Sequence, residues 1–273
     1  MNLSRRALPS LRRCLALVLG SLGFCYGVIF FYLLTNRESV LFERSPASYT
    51  ADDCRFITGR HGNRIACVYF SSPGARRTLL YSHGSATDLG GVAAILAEHR
   101  DLGFNVLAYD YPGTGLSEGR LSEAACYETI EDLFGWLGTR GVSAQDILVY
   151  GRSIGTGPSV YLASRERVGG LILASPFTSA FGHRLWMHLF PFDWFRNGDR
   201  IGLVKAPILI HHGTEDSTIS LDNGRTLAAK ANAEFVPLAG HGHADLHQSA
   251  AYKDALRRWT ESLRERAEAA AAK

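Results

Sequence analysis

From residue 53 onward, short runs rich in β-branched and aromatic residues alternate with longer stretches whose apolar positions recur at helical spacing. The runs fall at 54–58, 64–70, 78–82, 105–109, 147–150, 170–174, 207–211 and 234–238. The pattern predicts helices over 89–102, 122–137, 154–164, 220–230 and 248–266. After the third run every connection is long enough for a helical crossover, so those strands should lie parallel and be covered on both faces. The first two runs are joined by Thr58-Gly59-Arg60-His61-Gly62-Asn63 and should form a hairpin at one edge. The pattern is that of an α/β sandwich with a hairpin at one edge.

Two segments depart from this rhythm. Residues 14–34 carry no charge and are rich in Leu, Phe, Val and Ile. As a helix this stretch is about 31 Å long, enough to cross the hydrocarbon core. A cleaved secretory signal would have a shorter apolar region of about 7 to 15 residues, so the length favours a retained signal anchor. Residues 177–200 lie between two runs and contain Phe181, Trp186, Met187, Phe190, Phe192, Trp194 and Phe195. Such aromatic density suits core packing, or a short cap whose apolar face meets an acyl chain. The insertion follows a strand end, where α/β sites open, and this favours the cap. The expected organisation is a basic segment 1–13, a transmembrane anchor 14–34, a linker 35–52, a catalytic domain 53–266 that includes the cap, and a frayed tail 267–273.

Charge adds an orientation and removes a class of partner. The formal net charge is +3, but Arg5, Arg6, Arg12 and Arg13 precede the apolar span without an acidic residue among them. The rest of the chain has 25 basic against 26 acidic side chains, so no basic surface points to a nucleic-acid partner. Four arginines before the span, against Arg37 and Arg44 after it, predict a cytoplasmic N-terminus and a catalytic body on the periplasmic or extracytoplasmic side. Cysteine use bears on the same point. If Thr58 pairs with Asn63, Cys54 falls opposite Cys67 within disulfide reach, which would suit an oxidising compartment. The alternative is two small buried residues with free thiols.

Candidate chemistry centres on Gly151-Arg152-Ser153-Ile154-Gly155, a G-x-S-x-G set between a strand run and a helical stretch. In that context the serine sits on a sharp turn with strained backbone angles, and small neighbours let the chain turn. A serine hydroxyl is a poor nucleophile at neutral pH, so it needs a base and a carboxylate to orient that base. His243 in Gly240-His241-Gly242-His243-Ala244-Asp245 follows the last strand and is the leading base, with His241 its rival. Asp216 in His212-Gly213-Thr214-Glu215-Asp216 is the leading acid, with Glu215 adjacent and Asp193 or Asp199 less rigidly held. His211 and His212 read as structural. The backbone N–H groups of Ile154 and Ser85 are the candidate oxyanion donors, with Gly84 allowing close approach of the loop. No metal or organic cofactor is called for.

These motifs, with Leu80 through Gly90 and Asp110-Tyr111-Pro112-Gly113-Thr114-Gly115-Leu116-Ser117-Glu118-Gly119, resemble the Bem46-like branch of the α/β-hydrolase superfamily. The chain order Ser153, Asp216, His243 is the Ser…Asp…His order of that superfamily. The resemblance covers roughly residues 53–259 and implies the α/β-hydrolase fold, an eight-stranded, mostly parallel sheet with helices on both faces, and acyl ester or thioester hydrolysis. The branch includes membrane-associated serine hydrolases, among them eukaryotic protein depalmitoylases. This chain has Ser85 and Ala244 where asparagine is usual, and an apolar span replaces the lipidated, cysteine-rich N-terminus of the depalmitoylases, so their protein substrates do not carry over. The expected activity is a membrane-anchored serine hydrolase. The alternatives are acyl transfer to an alcohol, or a noncatalytic tethered binding protein.

Overall fold

The computed structural model describes residues 7–43, 46–182 and 193–271. It divides into an N-terminal unit ending at Leu41 and a larger unit beginning at Phe42. In the first, α1 (Ala7–Thr35) is followed by the short α2 (Arg37–Leu41). The stretch Leu11–Thr35 has a mean hydropathy of 2.2 and is long and apolar enough to cross a membrane. Its large side chains, Leu17, Phe24 and Phe31 among them, are exposed. Length and an apolar surface on all sides are the features that a membrane span requires.

The second unit is built on one eight-stranded sheet in the order β1-β2-β4-β3-β5-β6-β7-β8. The strands are β1 (Arg55–Thr58), β2 (Arg64–Phe70), β3 (Thr78–Ser82), β4 (Asn105–Tyr109), β5 (Ile147–Arg152), β6 (Gly170–Ala174), β7 (Ile208–Gly213) and β8 (Glu234–Leu238). Only β1 with β2 and β2 with β4 pair antiparallel; the remaining neighbours are parallel. The helices are α3 (Leu89–Asp101), α4 (Glu123–Thr139), α5 (Thr156–Arg165), α6 (Asn197–Arg200), α7 (Leu221–Ala231) and α8 (Ala250–Ala271). The last helix continues past 266, so the frayed tail expected from 267 is helical to Ala271.

Alternation along the strands sorts the core into two layers. Leu79, Tyr81, Val106, Leu148, Tyr150, Ile172 and Leu209 form one cluster with Leu96 of α3 and Leu256 and Trp259 of α8. The intervening Leu80, Leu107, Val149 and Ile210 are equally buried and point to the other face, where α4 and α5 meet and α5 packs on β5 and β6. Parallel strands covered on both faces are the near-continuous apolar runs that the sequence displays. Ser82 at the end of β3 is the register partner of Gly151 on β5. The strand order reverses at β3, so the loops leaving β3 and β5 open side by side at the carboxyl edge of the sheet, where α/β proteins place their sites.

Three expectations are corrected here. Gly59 donates to the Asn63 carbonyl at 2.9 Å, so Thr58 pairs with Arg64 and Arg55, not Cys54, lies opposite Cys67. A one-residue slip turns the neighbouring side chain to the other face, and both cysteines are free thiols. The linker expected over 35–52 is largely structured: Phe42 is buried beside the rings of Tyr111 and Phe195, and Ser48 and Tyr49 are hydrogen-bonded into the body. Gly84 has ordinary room, since an added Cβ would meet nothing closer than the Ser153 Cβ at 3.8 Å. Within the expected cap, Phe177, Phe181, Trp194 and Phe195 are buried, while Trp186, Met187, Phe190 and Phe192 lie outside the described residues.

The layer under α3 and α8 holds two buried imidazoles. His99 bonds the Ile95 carbonyl and the Tyr252 hydroxyl, each at 2.8 Å, and neither His211 ring nitrogen has a partner among the described residues. Burial pushes His99 down to about 4 and His211 down to about 3. Both folded values lie below the unfolded value of about 6.5, so the unfolded chain binds more protons and stability is lost as pH falls from about 6.5 toward 4. We expect the thermal midpoint of the wild type to drop over that interval and His211→Leu to drop less steeply. Parallel curves for the two proteins, measured by thermal denaturation, would refute this assignment.

Candidate active site

The turn that carries Ser153 is forced by local packing. Ser153 has φ 53°, in the left-handed region that a non-glycine residue enters only when its surroundings compel it. It follows β5 and opens a single 3-10 turn, Ser153–Gly155, that leads into α5. A Cβ at Gly151 would lie 2.6 Å from the Gly155 carbonyl oxygen, and one at Gly155 would overlap the Ser82 carbonyl. One turn further on, a Cβ at Gly157 would overlap the Phe195 ring. The glycines are thus needed for close approach of chain to chain. Gly155→Ala should destabilise the fold by on the order of 3 kcal/mol and abolish any activity that depends on the Ser153 geometry. Chemical denaturation checks the first part, and an unchanged midpoint would contradict it.

The structure brings three of the predicted residues into one hydrogen-bonded line. His243 Nε2 lies 2.9 Å from Ser153 Oγ, and His243 Nδ1 lies 2.8 Å from Asp216 Oδ2. Asp216 comes from the loop after β7 and His243 from the loop after β8, so each is carried by a different strand end. The Asp216 carboxylate is fully buried and the His243 ring about one-fifth exposed. Asp216 Oδ1 accepts from the N–H groups of Thr218 at 2.9 Å and Ile219 at 2.8 Å. Burial alone pushes the Asp216 carboxyl up, but hydrogen bonds from His212, His243 and the Ile219 N–H outweigh it and hold it well below the usual carboxylate range. It is therefore an anion aimed at one imidazole nitrogen, and the opposite nitrogen faces a hydroxyl.

The rivals are occupied elsewhere. His241 Nδ1 meets Asp245 Oδ2 at 3.2 Å, and Asp245 Oδ1 also accepts from the Gly242 N–H at 2.8 Å, so this pair braces the His243 loop. Glu215 is exposed, and its N–H donates to the His241 carbonyl. Asp193 accepts from the N–H groups of Phe181 and Trp194, and Asp199 pairs with Arg196. Ser85 is half-buried in the loop after β3, and Ile154 is buried directly after Ser153. The 3.8 Å approach of a Gly84 Cβ to the Ser153 Cβ puts that loop beside the serine. Among the described residues no group of three His, Cys, Asp or Glu side chains is placed to hold a metal ion.

Two residues enter the site that sequence reasoning did not place there. His212 Nε2 is 2.9 Å from the Ile219 carbonyl and 3.4 Å from Asp216 Oδ2, so the ring set aside as structural also faces the acid. Its spacing of four residues from Asp216 was the available signal. Arg152, the variable position of the pentapeptide, reaches the carbonyls of His243 at 3.4 Å and Ala244 at 3.5 Å. A guanidinium beside two carbonyls of the loop that carries His243 helps fix that loop beside Ser153.

Known proteins agree with this architecture. The alpha/beta hydrolase fold family model matches residues 77–201. Alpha/beta hydrolase domain-containing protein 17B of Homo sapiens is 37% identical over 240 residues, which span 84% of this chain and 82% of that protein. Alpha/beta hydrolase domain-containing protein 17C of Mus musculus is 38% identical over 234 residues, spanning 81% and 72%. Among solved structures, the esterase Pf2001 of Pyrococcus furiosus superposes with a TM-score of 0.63 at 16% identity, over 82% of this chain and 98% of that one. The esterase domain of a Rhodothermus marinus protein superposes with a TM-score of 0.60 at 17% identity, over 76% and 96%. These two likenesses establish the fold, and the sequence relatives establish the kinship: the chain belongs to the α/β-hydrolase superfamily, beside the alpha/beta hydrolase domain-containing proteins 17.

Proposed function

We propose that this chain is a membrane-anchored serine hydrolase that cleaves carboxylic esters or thioesters through an acyl-enzyme. The observation that carries the reading is the unbroken line from Ser153 Oγ through His243 to the buried anion of Asp216. Ser153 Oγ attacks the acyl carbon while its proton passes to His243 Nε2. Asp216, bonded to the Nδ1–H, fixes the tautomer and stabilises the imidazolium. The Ile154 and Ser85 N–H groups hold the oxyanion of the tetrahedral intermediate. As the acyl carbon to oxygen or sulfur bond breaks, His243 returns the proton to the leaving alkoxide or thiolate. Water then repeats the sequence on the acyl-Ser153 ester, releasing the acid and the free serine.

The segment 177–200 serves as a short cap for the acyl chain, a reading supported by its place after β6 and its aromatic content. Helix α1 anchors the protein, and the arginines ahead of it favour a cytoplasmic N-terminus with the catalytic body on the opposite side. The test is a hydrolysis panel on the full chain in detergent micelles, from acetyl to palmitoyl, as esters and as thioesters, with acid release as readout. Turnover that rises with chain length is the expected result. No turnover of any member would overturn the activity, and a strict preference for acetyl would overturn the cap.

A further inference from the structure

We infer that Ser48 and Tyr49 are positioning residues of the active site: they form a strap that holds both ends of the loop carrying the Ser85 oxyanion donor. The inference rests on the serine hydrolase reading above. The loop runs from His83, at the end of β3, to Asp88, the N-cap of α3, whose Oδ1 accepts from the Gly91 N–H at 2.9 Å. At its far end, Asp88 Oδ2 accepts from the Ser48 N–H at 2.6 Å and Oδ1 from the Ser48 hydroxyl at 2.5 Å. The fully buried Asp110 ties the near end to the far one, accepting through Oδ1 from His83 Nε2 and from the N–H of Leu89, the residue after Asp88, each at 3.0 Å. The other oxygen of Asp110 accepts the Tyr49 hydroxyl proton, and the Tyr49 oxygen accepts in turn from the Leu116 N–H at 3.1 Å. Two consecutive residues of the strap therefore bond the two carboxylates between which the loop is strung.

The fit is close on both sides. A Cβ at Gly90 would overlap the Ser48 hydroxyl, and one at Gly115 would overlap the Asp110 carboxylate and come within 3.0 Å of the Tyr49 oxygen. Burial of Tyr49, with Asp110 beside it, pushes the phenol far up, so it stays a donor throughout the working pH range. Between these anchored ends the loop borders an open cleft of about 310 Å³, lined by Pro46 and Ser48 of the strap, Ala86 and Thr87 of the loop, and Gly113 and Thr114. That side of the loop is open, so its position is set by the bonds at its ends together with the Tyr111 hydroxyl, which donates to the His83 carbonyl at 2.6 Å. An oxyanion donor works only when its N–H is aimed beforehand at the charge that develops, and a displacement of about 1 Å can cost on the order of 100-fold in rate.

The test compares full-length wild type, Ser153→Ala, Tyr49→Phe and Ser48→Ala in micelles, using a short p-nitrophenyl ester and an acyl trifluoromethyl ketone as transition-state mimic. Tyr49→Phe should lose about 10- to 100-fold in kcat with KM within twofold, and should lose affinity for the ketone by the same factor. Ser48→Ala should show the same split at smaller size, since its N–H remains, and it decides the matter if Tyr49→Phe does not fold. A merely structural role would instead lower the active fraction and leave kcat per titrated site and ketone affinity unchanged. That outcome in the folded variants, with wild type active and Ser153→Ala inert, would overturn the strap alone. Wild type inert, or Ser153→Ala within tenfold of wild type, would instead overturn the hydrolase reading and this inference with it.

Discussion

Ser153→Ala is expected to lower kcat toward a short acyl ester by about a millionfold, leaving a residue of roughly 1000- to 10,000-fold over water from binding and the oxyanion donors. The size follows from the proposed mechanism: without Oγ there would be no acyl-enzyme, and His243 would have no hydroxyl to deprotonate. Folding should be spared. The serine side chain is half-buried and bonds His243 through Oγ alone, and alanine adds no atom to the crowded turn between Gly151 and Gly155. Steady-state kinetics with a thermal midpoint near that of wild type would agree. Hydrolysis within tenfold of wild type would place the chemistry elsewhere.

The second large effect is expected at Asp216. Asp216→Asn should reduce kcat by about 10,000-fold with little change in KM. The amide oxygen can take the place of Oδ1, which accepts from the Thr218 and Ile219 N–H groups, and this leaves the amide nitrogen facing His243 Nδ1. The amide then donates to Nδ1, so the imidazole proton moves to Nε2 and the ring can no longer accept the Ser153 proton. His212, which also faces Asp216 Oδ2, would be disturbed by the same substitution. A loss smaller than tenfold would show that Asp216 does not orient the base.

Much of the fold was legible because its signals are periodic or local. Buried parallel strands appear as short apolar runs, and the eight runs coincide with the eight strands to within a few residues at their ends. The turn at Ser153 was legible because glycines at Gly151 and Gly155 are a steric requirement, and the meeting of Ser153, His243 and Asp216 because each follows its own strand. What escaped the sequence was nonlocal or set by a single residue. The hairpin register turned on whether Gly59 belongs to the turn, and its pairing with Asn63 moved Cys54 away from Cys67. The strap looked like a linker because polar side chains such as Ser48 and Tyr49 leave no periodic trace, and their partners Asp88 and Asp110 lie 40 and 61 positions away. His212 was set aside because a histidine at a strand end is more often packed than functional; only its approach to Asp216 gives it a place in the site.

Whether Ser153 is the nucleophile is decided by the atom that a fluorophosphonate modifies. The reagent is treated as an acyl mimic: a serine activated by a base attacks phosphorus, fluoride leaves, and a stable phosphonyl-serine remains. The full chain in micelles should gain one phosphonyl group per molecule, located by peptide mass spectrometry on Ser153, with labelling strongly slowed in Asp216→Asn. A label on another serine, or full hydrolytic activity in a chain that takes no label, would contradict the account.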